Sequence, residues 1–388
     1  MTTHSFDIIL CGGGHVGSCL ALALAQQNIS VAFIDSLSPE KRKGAEDNRI
    51  FALAAGSKKI LEQLDVWPLL QSHTTAIEHI HISNKGSFGA ARLHAKELDH
   101  EAIGYMTAST ALQQALNQAM EKVDITTFSP ASLKNFSIHN DHVEAQISTE
   151  QNHKTITAKW LIGADGINSF VRQHAGISMT KKDYQQKALV ALVDLENSHH
   201  FTAYERFVGE SAIALLPHTP WQSVLIWSGE NDFIDHLTSL DDALFLTELQ
   251  SAFGFRLGKF SSLSSRMSYP LSQTKSDRIH AERLLLIGSA AQTLHPIGAQ
   301  GFNLALRNVA LLANLLKKAH HNNQSCFTQS VLEEYAQRQE IDTSKTLRFT
   351  DHLVKFSSTS GPLSGIARTV LLNALGSSSL AQKYLLQS

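Results

Sequence analysis

The sequence contains few cysteines and has no excess of positive charge. Cys11, Cys19 and Cys326 are its only three cysteines, and neither a CxxC pair nor a metal-ligand spacing connects them. We therefore expect no metal site, and the odd number of thiols is typical of a reduced, cytoplasmic environment. Lysine and arginine number 33 against 35 aspartates and glutamates. Because no basic excess exists to displace counterions, the composition excludes a general nucleic-acid binder.

Long apolar runs are also missing. No run among the 388 residues reaches the roughly 18 residues that a membrane-spanning helix requires. Residues 1–5 lack the basic stretch of a signal peptide. We therefore predict a cytoplasmic protein that does not cross a bilayer. Peripheral contact with the inner membrane surface stays open, because residues 366–375 have the pattern of an apolar, partly amphipathic helix. Packing of that helix on its own domain or on a dimer partner is the favoured explanation of the pattern.

A glycine pattern follows the first predicted strand. Residues 6–14 read as a buried strand that ends in glycines, and residues 15–27 have small and apolar side chains at helical spacing. Gly12, Gly14 and Gly17 match the Gly-x-Gly-x-x-Gly pattern. In that pattern the first glycine permits a tight turn, the second lets the backbone approach a pyrophosphate, and the third lets the helix pack closely on the strand. The helix start would offer unpaired amides to the anion.

An acidic residue completes this unit. Asp35 ends the next predicted strand, residues 30–35, at the distance from the glycines where a carboxylate binds ribose hydroxyls. An acid at this position disfavours a 2′-phosphate. The βαβ unit therefore predicts an adenine dinucleotide site for FAD or NAD rather than NADP. A helix is predicted next, over about residues 49–64.

Two further motifs occur later in the chain. Residues 161–172 read LIGADG-x-x-S-x-VR and include Asp165 and Gly166, and residues 288–303 read GSAAQ-x-x-HP-x-GAQG-x-N. Each is, by itself, only a strand–turn–helix joint. The glycine-rich helix start of the last motif could donate backbone N–H groups to an anionic or electron-rich ring edge.

Together, in this order, the three motifs resemble the class A FAD-dependent aromatic monooxygenases, which have the para-hydroxybenzoate hydroxylase fold. The resemblance spans residues 5 to about 350. Within that family, four shorter segments resemble the ubiquinone-biosynthesis hydroxylases that act on 2-polyprenyl-6-methoxyphenol. These segments are residues 48–57, 204–207, 249–259 and 290–297.

The resemblance implies an α/β fold in which two domains are interleaved. A Rossmann-like FAD-binding domain would comprise residues 1–72, 96–186 and 273–345. A mostly antiparallel β-sheet substrate domain would comprise residues 73–95 and 187–272, where strand-like runs surround a single helical stretch. Residues 346–388 would form a C-terminal helical segment.

The activity implied is the hydroxylation of the ring of a polyprenylphenol by O2 in ubiquinone biosynthesis. NADH or NADPH would reduce the FAD transiently, and a flavin C4a-hydroperoxide would deliver the oxygen. Other proteins of the pathway or a lipid carrier are candidate partners, and a homodimer stays open. Two alternatives remain: a hydroxylase of another ring position in the same pathway, or a flavin-poor scaffold of the biosynthetic assembly. A dehydrogenase that uses only NAD would explain the first motif but not the other two.

The resemblance also assigns roles to residues. Those expected to bind the cofactor are Gly12, Gly14, Gly17, Asp35, Arg49, Asp165, Gly166, Ser289, Gly298, Gln300, Gly301, Phe302 and Asn303. The first four would hold the ADP half of FAD, and the residues from position 298 onward would direct amides at the N1/C2 edge of the ring. Pro296 would line the pocket above the isoalloxazine.

Several positions depart from the family pattern or stay ambiguous. Ser289 stands where the family has an Asp that reaches the ribityl chain, and Thr110 stands where many members have Arg. Both departures bear on retention of the cofactor rather than on the type of reaction. His295 is a candidate for ionising the phenol, because the ordinary pKa of histidine is near neutral. A histidine that is merely hydrogen-bonded to the loop is the alternative.

Overall fold

A computed structural model describes most of the chain. The described residues are 4–38, 47, 49–86, 90–150, 152–295, 300–322 and 324–358. Pro296 and Gly298 of the third motif, and the predicted amphipathic helix over residues 366–375, therefore lie outside the described residues. Among the helices that are described, none is both long enough and apolar enough to span a membrane.

An eight-stranded sheet carries the three motifs at the ends of its strands. The strands are β1 (His4–Cys11), β2 (Val31–Ile34), β8 (Thr126–Phe128), β9 (Ala131–Ile138), β10 (Val143–Thr149), β11 (His153–Gly163), β18 (His280–Ala281) and β19 (Leu284–Leu286). The central order is β18-β19-β11-β1-β2-β8, and the pairs from β19 to β8 are parallel. Strands β9 and β10 join β11 as an antiparallel extension.

Helices pack around this sheet and enclose its core. The β1 and β2 strands end in fully buried apolar residues, as expected for parallel strands that are covered on both faces. The helices of this part are α1 (His15–Ala25), α2 (Ala55–Gln63), α3 (Trp67–Leu70), α4 (Ser109–Met120), α5 (Phe170–His174), α8 (Gln300–His321) and α9 (Gln329–Ser358). Short 3-10 turns occupy Gln71–His73, Ala95–Leu98 and Gly288–Ala290.

A second sheet has nine strands. These are β5 (His79–Asn84), β6 (Ala90–His94), β12 (Met179–Leu195), β13 (Thr202–Val208), β14 (Ser211–Thr219), β15 (Gln222–Glu230), β16 (Phe260–Leu263), β17 (Met267–Ser276) and β20 (Gln292–Thr293). The sheet is antiparallel except where β13 pairs with β5. Helices α6 (Asn231–Ser239) and α7 (Asp242–Phe253) cover one of its faces. The buried cluster between them includes Trp227 and Phe245.

A small antiparallel sheet joins the two larger parts. It consists of β3 (Ile50–Ala54), β7 (Gly104–Ala108) and β4 (Thr74–Ile77), in the order β3-β7-β4. The predicted helix over residues 49–64 is therefore wrong in its first part, and the helix begins only at Ala55. The physical reason is that alternate β3 residues enter two different cores. Phe51 packs on the core of the first sheet. Ile50 and Ala52 instead pack on the nine-stranded sheet, on the face opposite to α6 and α7.

The architecture confirms the predicted fold class. A parallel sheet with flanking helices is combined with a mostly antiparallel sheet, and helices end the described chain. The nine-stranded sheet extends beyond the predicted substrate-domain segment 187–272, because β12 begins at Met179 and β17 ends at Ser276. The residue limits of the two domains stay a prediction.

Candidate active site

The glycine turn after β1 combines two crowded positions with one open position. A Cβ at Gly12, whose φ is +115°, would lie 2.3 Å from the Ala164 carbonyl oxygen. A Cβ at Gly17 would lie 1.9 Å from the Gly12 oxygen, so this glycine lets α1 press against the turn. Nothing lies within 4 Å of a Cβ at Gly14, which precedes the first residue of α1. The turn therefore leaves open the position where a pyrophosphate would approach the amides of the helix start.

Asp35 lies directly beside this turn. The residue directly follows β2, and 7% of its surface is exposed. One carboxylate oxygen accepts a hydrogen bond from the Leu37 amide at 3.1 Å, and a Cβ at Gly13 would lie 2.1 Å from the other. The acid and the glycines thus form one compact site, as their spacing in the sequence predicts.

The Asp-Gly motif follows β11 on the same edge of the sheet. Asp165 accepts a hydrogen bond from the Val171 amide at 3.1 Å and so helps to begin α5. Its other oxygen, Oδ1, is buried and has no hydrogen-bond partner among the described residues. Gly166 has a φ of +84° and faces open space. A buried carboxylate oxygen without a donor is costly, and a hydroxyl group of a ligand would satisfy it.

The third motif begins against the first helix. Gly288 has a φ of +63°, and a Cβ there would lie 3.1 Å from Val16 in the first turn of α1. Ser289 is exposed at this point. Arg172, which is 6% exposed, donates a hydrogen bond from Nη1 to the Ala290 carbonyl oxygen at 3.2 Å. The second and third motifs are therefore joined directly.

The start of α8 is anchored by Asn303. Its Oδ1 accepts hydrogen bonds from the Ala54 amide at 2.9 Å and from the Ser57 hydroxyl at 2.6 Å, and its Nδ2 donates to the Ala52 oxygen at 2.9 Å. The side chain thus fixes α8 on the β3–α2 junction. In the same turn, a Cβ at Gly301 would have nothing within 4 Å. The N-terminal turn that contains Gln300, Gly301 and Phe302 therefore keeps an open approach to its backbone.

Three aromatic rings connect the turns of the first and third motifs. The ring centroids of His15 and Phe51 are 5.1 Å apart, those of Phe51 and Phe302 are 4.9 Å apart, and those of His15 and Phe302 are 5.9 Å apart. His15 follows Gly14, and Phe302 follows Gly301. The two open glycines consequently adjoin one aromatic cluster. Only Phe302 of these three was predicted as a site residue, because an isolated His or Phe gives no spacing signal.

Arg49 lies at the entrance to β3 and is paired with an acid. Its guanidinium donates to both carboxylate oxygens of Asp47, at 2.8 and 2.6 Å, and the Ser109 hydroxyl donates to Asp47 at 2.5 Å. Partial burial raises the pKa of Asp47, but the hydrogen bonds and charge of Arg49 outweigh this and lower it well below its ordinary value. The guanidinium also lies 5.8 Å from the centre of the Phe51 ring. Asp47 therefore holds a cation beside the aromatic cluster.

His295 is buried, with 2% of its surface exposed. Its ring packs edge-on against Tyr184 at a centroid distance of 4.8 Å. Burial lowers the pKa of His295 to about 4, against a smaller raising effect of Asp351. The imidazole is therefore neutral at pH 7 and a weak proton acceptor.

The face of the nine-stranded sheet opposite to α6 and α7 packs against the small sheet. That face carries apolar residues from both sheets: Ile77, Met106, Ala203 and Val224, with Ile50, Ala52, Ile80, Val190, Leu192, Leu216 and Ile226 packed around them. Because Ile50 and Ala52 alternate with Phe51 along β3, this apolar face and the aromatic cluster lie on opposite sides of one strand.

The arrangement fits FAD. Gly14, Gly166 and Gly301 leave open space where a side chain would interfere, and the Asp165 oxygen lacks a donor among the described residues. The turn at Gly14, with Asp35 beside it, suits a pyrophosphate and a ribose. No cluster of three or more potential metal ligands occurs in the described ranges.

Comparisons with known proteins identify the family and the cofactor. A family model described as an FAD binding domain matches residues 5–349. The ubiquinone hydroxylase UbiL of Rhodospirillum rubrum is 33% identical over 373 residues, which cover 95% of this chain and 86% of that protein. The 3-demethoxyubiquinol 3-hydroxylase of Escherichia coli is 32% identical over 354 residues, covering 88% and 87% of the two chains.

A solved structure supports the fold. The p-nitrophenol 4-monooxygenase PnpA of Pseudomonas putida matches with a TM-score of 0.80 at 16% identity, over 99% of this chain and 98% of that one. At this identity the likeness concerns the fold alone. With the family model and the relatives above, these findings show an enzyme whose cofactor is FAD. The chain belongs to the FAD-binding class A monooxygenases, in the family of the ubiquinone hydroxylases.

Proposed function

We propose that the protein hydroxylates the aromatic ring of a polyprenylphenol in ubiquinone biosynthesis, with 2-polyprenyl-6-methoxyphenol as its substrate. The observation that carries the proposal is the apolar face of the nine-stranded sheet, which lies across β3 from the aromatic cluster of the cofactor site. An electron-rich ring with an apolar chain matches that surface. The segments that resemble the hydroxylases of this pathway support the choice of substrate.

FAD, when bound and reduced by NADH or NADPH, would activate O2 for insertion into the ring. The chain's own residues would bind and orient the cofactor. We assign the pyrophosphate to the amides after Gly14, the ribose to Asp35 and the ribityl chain to Ser289. The open turn at Gly301 would direct amides at the ring. The roles of Pro296 and Gly298 beside the ring stay predictions from the sequence.

Four further side chains have defined tasks in this proposal. Arg49, oriented by Asp47, would place a positive charge beside the cofactor's anionic groups. Asp165 would accept a hydrogen bond from a hydroxyl of FAD or of the nicotinamide nucleotide through its Oδ1. The aromatic rings of Phe51 and Phe302 would exclude water from the reacting centre.

His295 has two interpretations, and its surroundings support the structural one. The imidazole packs on Tyr184, and its pKa of about 4 makes it a poor acceptor for a phenol proton. We therefore assign it the task of holding the loop that leads to Pro296.

A second candidate is hydroxylation of another ring position in the same pathway. The 32% identity to an Escherichia coli enzyme named as a 3-hydroxylase of 3-demethoxyubiquinol favours it.

Because a polyprenyl chain keeps either substrate in a bilayer or on a carrier, we also propose that the protein acts in the cytoplasm at the inner membrane surface. Other proteins of the pathway or a lipid carrier would be its partners.

A strain that lacks the gene distinguishes the two candidates. Mass spectrometry of its quinone precursors should show accumulation of 2-polyprenyl-6-methoxyphenol, and the wild-type gene should remove it. Accumulation of 3-demethoxyubiquinol instead would support the second candidate. Normal ubiquinone with neither precursor would contradict both.

A further inference from the structure

The carboxyl group of Glu205 lies on the apolar face of the nine-stranded sheet. Along β13, Tyr204 and Val208 pack on the helix-covered core, while Ala203 packs on the opposite face. Because strand side chains alternate, Glu205 lies on the same face as Ala203. The Arg206 guanidinium confirms the alternation, since its Nε donates to the Ala252 oxygen of α7 at 3.1 Å, on the helix side.

The neighbours of Glu205 on this face are apolar. In the register of the sheet, Glu205 pairs with Ala214 of β14 and with Ile82 of β5, and Ala214 pairs in turn with Ile226 of β15. No side-chain hydrogen bond or ion pair joins Glu205 to any described residue. The side chain is half-buried, so part of it is accessible from outside the sheet.

Among the charged and titratable groups of the neighbouring strands, Arg206 and Arg92 lie on the other face. His218 of β14 shares the face of Leu216, and Asp194 of β12 shares the face of Leu192, so these two lie on the side of Glu205. Arg206 is held at α7, and Arg92 of β6 pairs with His81 of β5, whose ring contacts Tyr204 on the helix-covered side. Across the interior, the small sheet contributes the apolar residues Ile50, Ala52, Ile77 and Met106, and the Thr75 hydroxyl, which donates to the His218 oxygen of β14. Neither a cation nor a second acid is paired with Glu205 across the sheet, and burial alone shifts its pKa.

This environment changes the acidity of the carboxyl group. Burial raises the pKa of Glu205 from 4.5 to about 7. A carboxyl group with such a pKa changes its charge within the physiological range. An acceptor whose pKa lies near the working pH is well suited to general-base catalysis.

We propose that Glu205 accepts the proton of the substrate's phenolic hydroxyl group during hydroxylation. The inference rests on the proposed function and concerns a residue outside the three cofactor motifs. The apolar row of Ala214 and Ile226 would support the aromatic ring, and Glu205, at the end of that row, would accept a hydrogen bond from the hydroxyl. A phenol is the ligand that combines an apolar ring with one acidic O–H donor.

The proposed step is balanced as follows. The O–H bond of the substrate and the O–O bond derived from O2 break as the new ring C–O bond forms, and the electron pair of the O–H bond moves toward the ring. The phenolic proton passes to a carboxylate oxygen of Glu205, which returns it to water after the product leaves. A proton then moves from the newly oxygenated ring carbon to the original oxygen, which restores the aromatic ring. O2 supplies the inserted oxygen atom, its second oxygen leaves as water, and NAD(P)H supplies the two electrons.

Binding of 4-nitrophenol to the oxidised, FAD-loaded protein tests the contact without turnover. Its phenolate absorbs in the visible range, so absorbance reports the protonation state of the bound probe. A carboxylate at Glu205 should favour the neutral phenol and raise its apparent pKa above that of the free probe. In Glu205→Gln this rise should disappear, whereas Glu210→Gln, on the exposed β13–β14 turn, should behave as the wild type. The same apparent pKa in wild type and Glu205→Gln would overturn the proposal.

Kinetics test the role in the reaction. Glu205→Gln should lower kcat for ring hydroxylation by roughly a hundredfold, and should remove the acidic limb near pH 7 from the pH profile of kcat/KM. Glu205→Asp should keep that limb. If the wild type hydroxylates the substrate and Glu205→Gln has the same pH profile, the assignment of Glu205 is overturned while the proposed function stands. Failure of the wild type to hydroxylate any polyprenylphenol would instead contradict the proposed function.

Discussion

Arg172 Nη1 donates a hydrogen bond to the carbonyl oxygen of Ala290 at 3.2 Å, and so joins the Asp-Gly motif to the third motif. The two residues are far apart in the chain, and the Arg172 side chain is almost completely buried. Gly288, next to this contact, packs on Val16 behind the glycine turn. The three motifs are thus a single packed unit rather than three separate loops.

Replacement of Arg172 by Met should therefore loosen the cofactor site. The variant removes one of two donors to the Ala290 oxygen, because the Ser276 hydroxyl also donates to it at 3.2 Å. Loss of a hydrogen bond from a charged group typically costs about 1.5–3 kcal/mol in the free energy of unfolding. We expect a lower Tm and weaker FAD binding, measured by calorimetry and by titration with FAD. Arg278→Met removes an exposed arginine and is the matched control. Equal effects of the two substitutions would contradict a special role for Arg172.

The glycine turn should respond differently at its two ends. At Gly14 a methyl group meets open space, so Gly14→Ala should leave the Tm of the apoprotein nearly unchanged but weaken FAD binding about tenfold or more. At Gly17 a Cβ would lie 1.9 Å from the Gly12 oxygen. Gly17→Ala should therefore lower the stability of the apoprotein itself, by about 1–3 kcal/mol. A Gly14→Ala protein that binds FAD as tightly as the wild type would refute the assignment of the pyrophosphate.

Ser289 is exposed at the turn that follows β19, where the family that the sequence resembles has an Asp. Ser289→Asp should tighten FAD binding about fivefold, because a carboxylate forms stronger hydrogen bonds with ribityl hydroxyls than a neutral hydroxyl does. Titration of the apoprotein with FAD measures the effect, and Ser289→Asn controls for size. Unchanged or weaker binding by the Asp variant would show that Ser289 does not reach the ribityl chain.

Glu205 should make the stability of the substrate-free protein depend on pH. Its pKa in the folded protein, about 7, is above the value of 4.5 for an unperturbed glutamate, so the native state binds more protons than the unfolded state between these values. Stability from this group therefore falls as the pH rises from about 4.5 to 7. Glu205→Gln should be more stable than the wild type by on the order of 1 kcal/mol at pH 8, and the gain should fade toward pH 5.

Calorimetric Tm values of the apoprotein across that pH range provide the measurement. Glu210→Gln, which removes an exposed carboxyl group from the adjoining turn, should give no such pH-dependent gain. A difference between wild type and Glu205→Gln that is constant with pH would show that Glu205 is not desolvated in the folded protein.

Local patterns predicted the βαβ unit because strand, glycines and acid all lie within residues 6–35. The small sheet was missed for a physical reason. Ile50 and Phe51 are adjacent and both apolar, a pattern that does not alternate as a strand with one buried face does. The two residues enter separate cores on the two faces of β3, which the sequence alone does not show. The helix Asn231–Ser239 was also not predicted, since it lies in a region dominated by strand-like runs.

For the site, spacing predicted Gly12, Gly14, Gly17 and Asp35, because their chemistry depends on backbone geometry within one short segment. Residues whose role depends on distant partners gave no such signal. Asp47 matters through Ser109 and Arg49, and Glu205 matters because Ala214 and Ile82 of the neighbouring strands place it in apolar surroundings. These relationships arise only when the two large sheets come together.

The fate of oxygen in the reaction tests the proposed hydroxylation most directly. Purified, FAD-loaded protein should be supplied with a prenylated 6-methoxyphenol, NADH or NADPH, and isotopically labelled O2. We predict a hydroxylated ring that carries one labelled oxygen atom, detected by mass spectrometry. Oxidation of the nicotinamide with formation of hydrogen peroxide alone, and no labelled product from this phenol or from 3-demethoxyubiquinol, would contradict it.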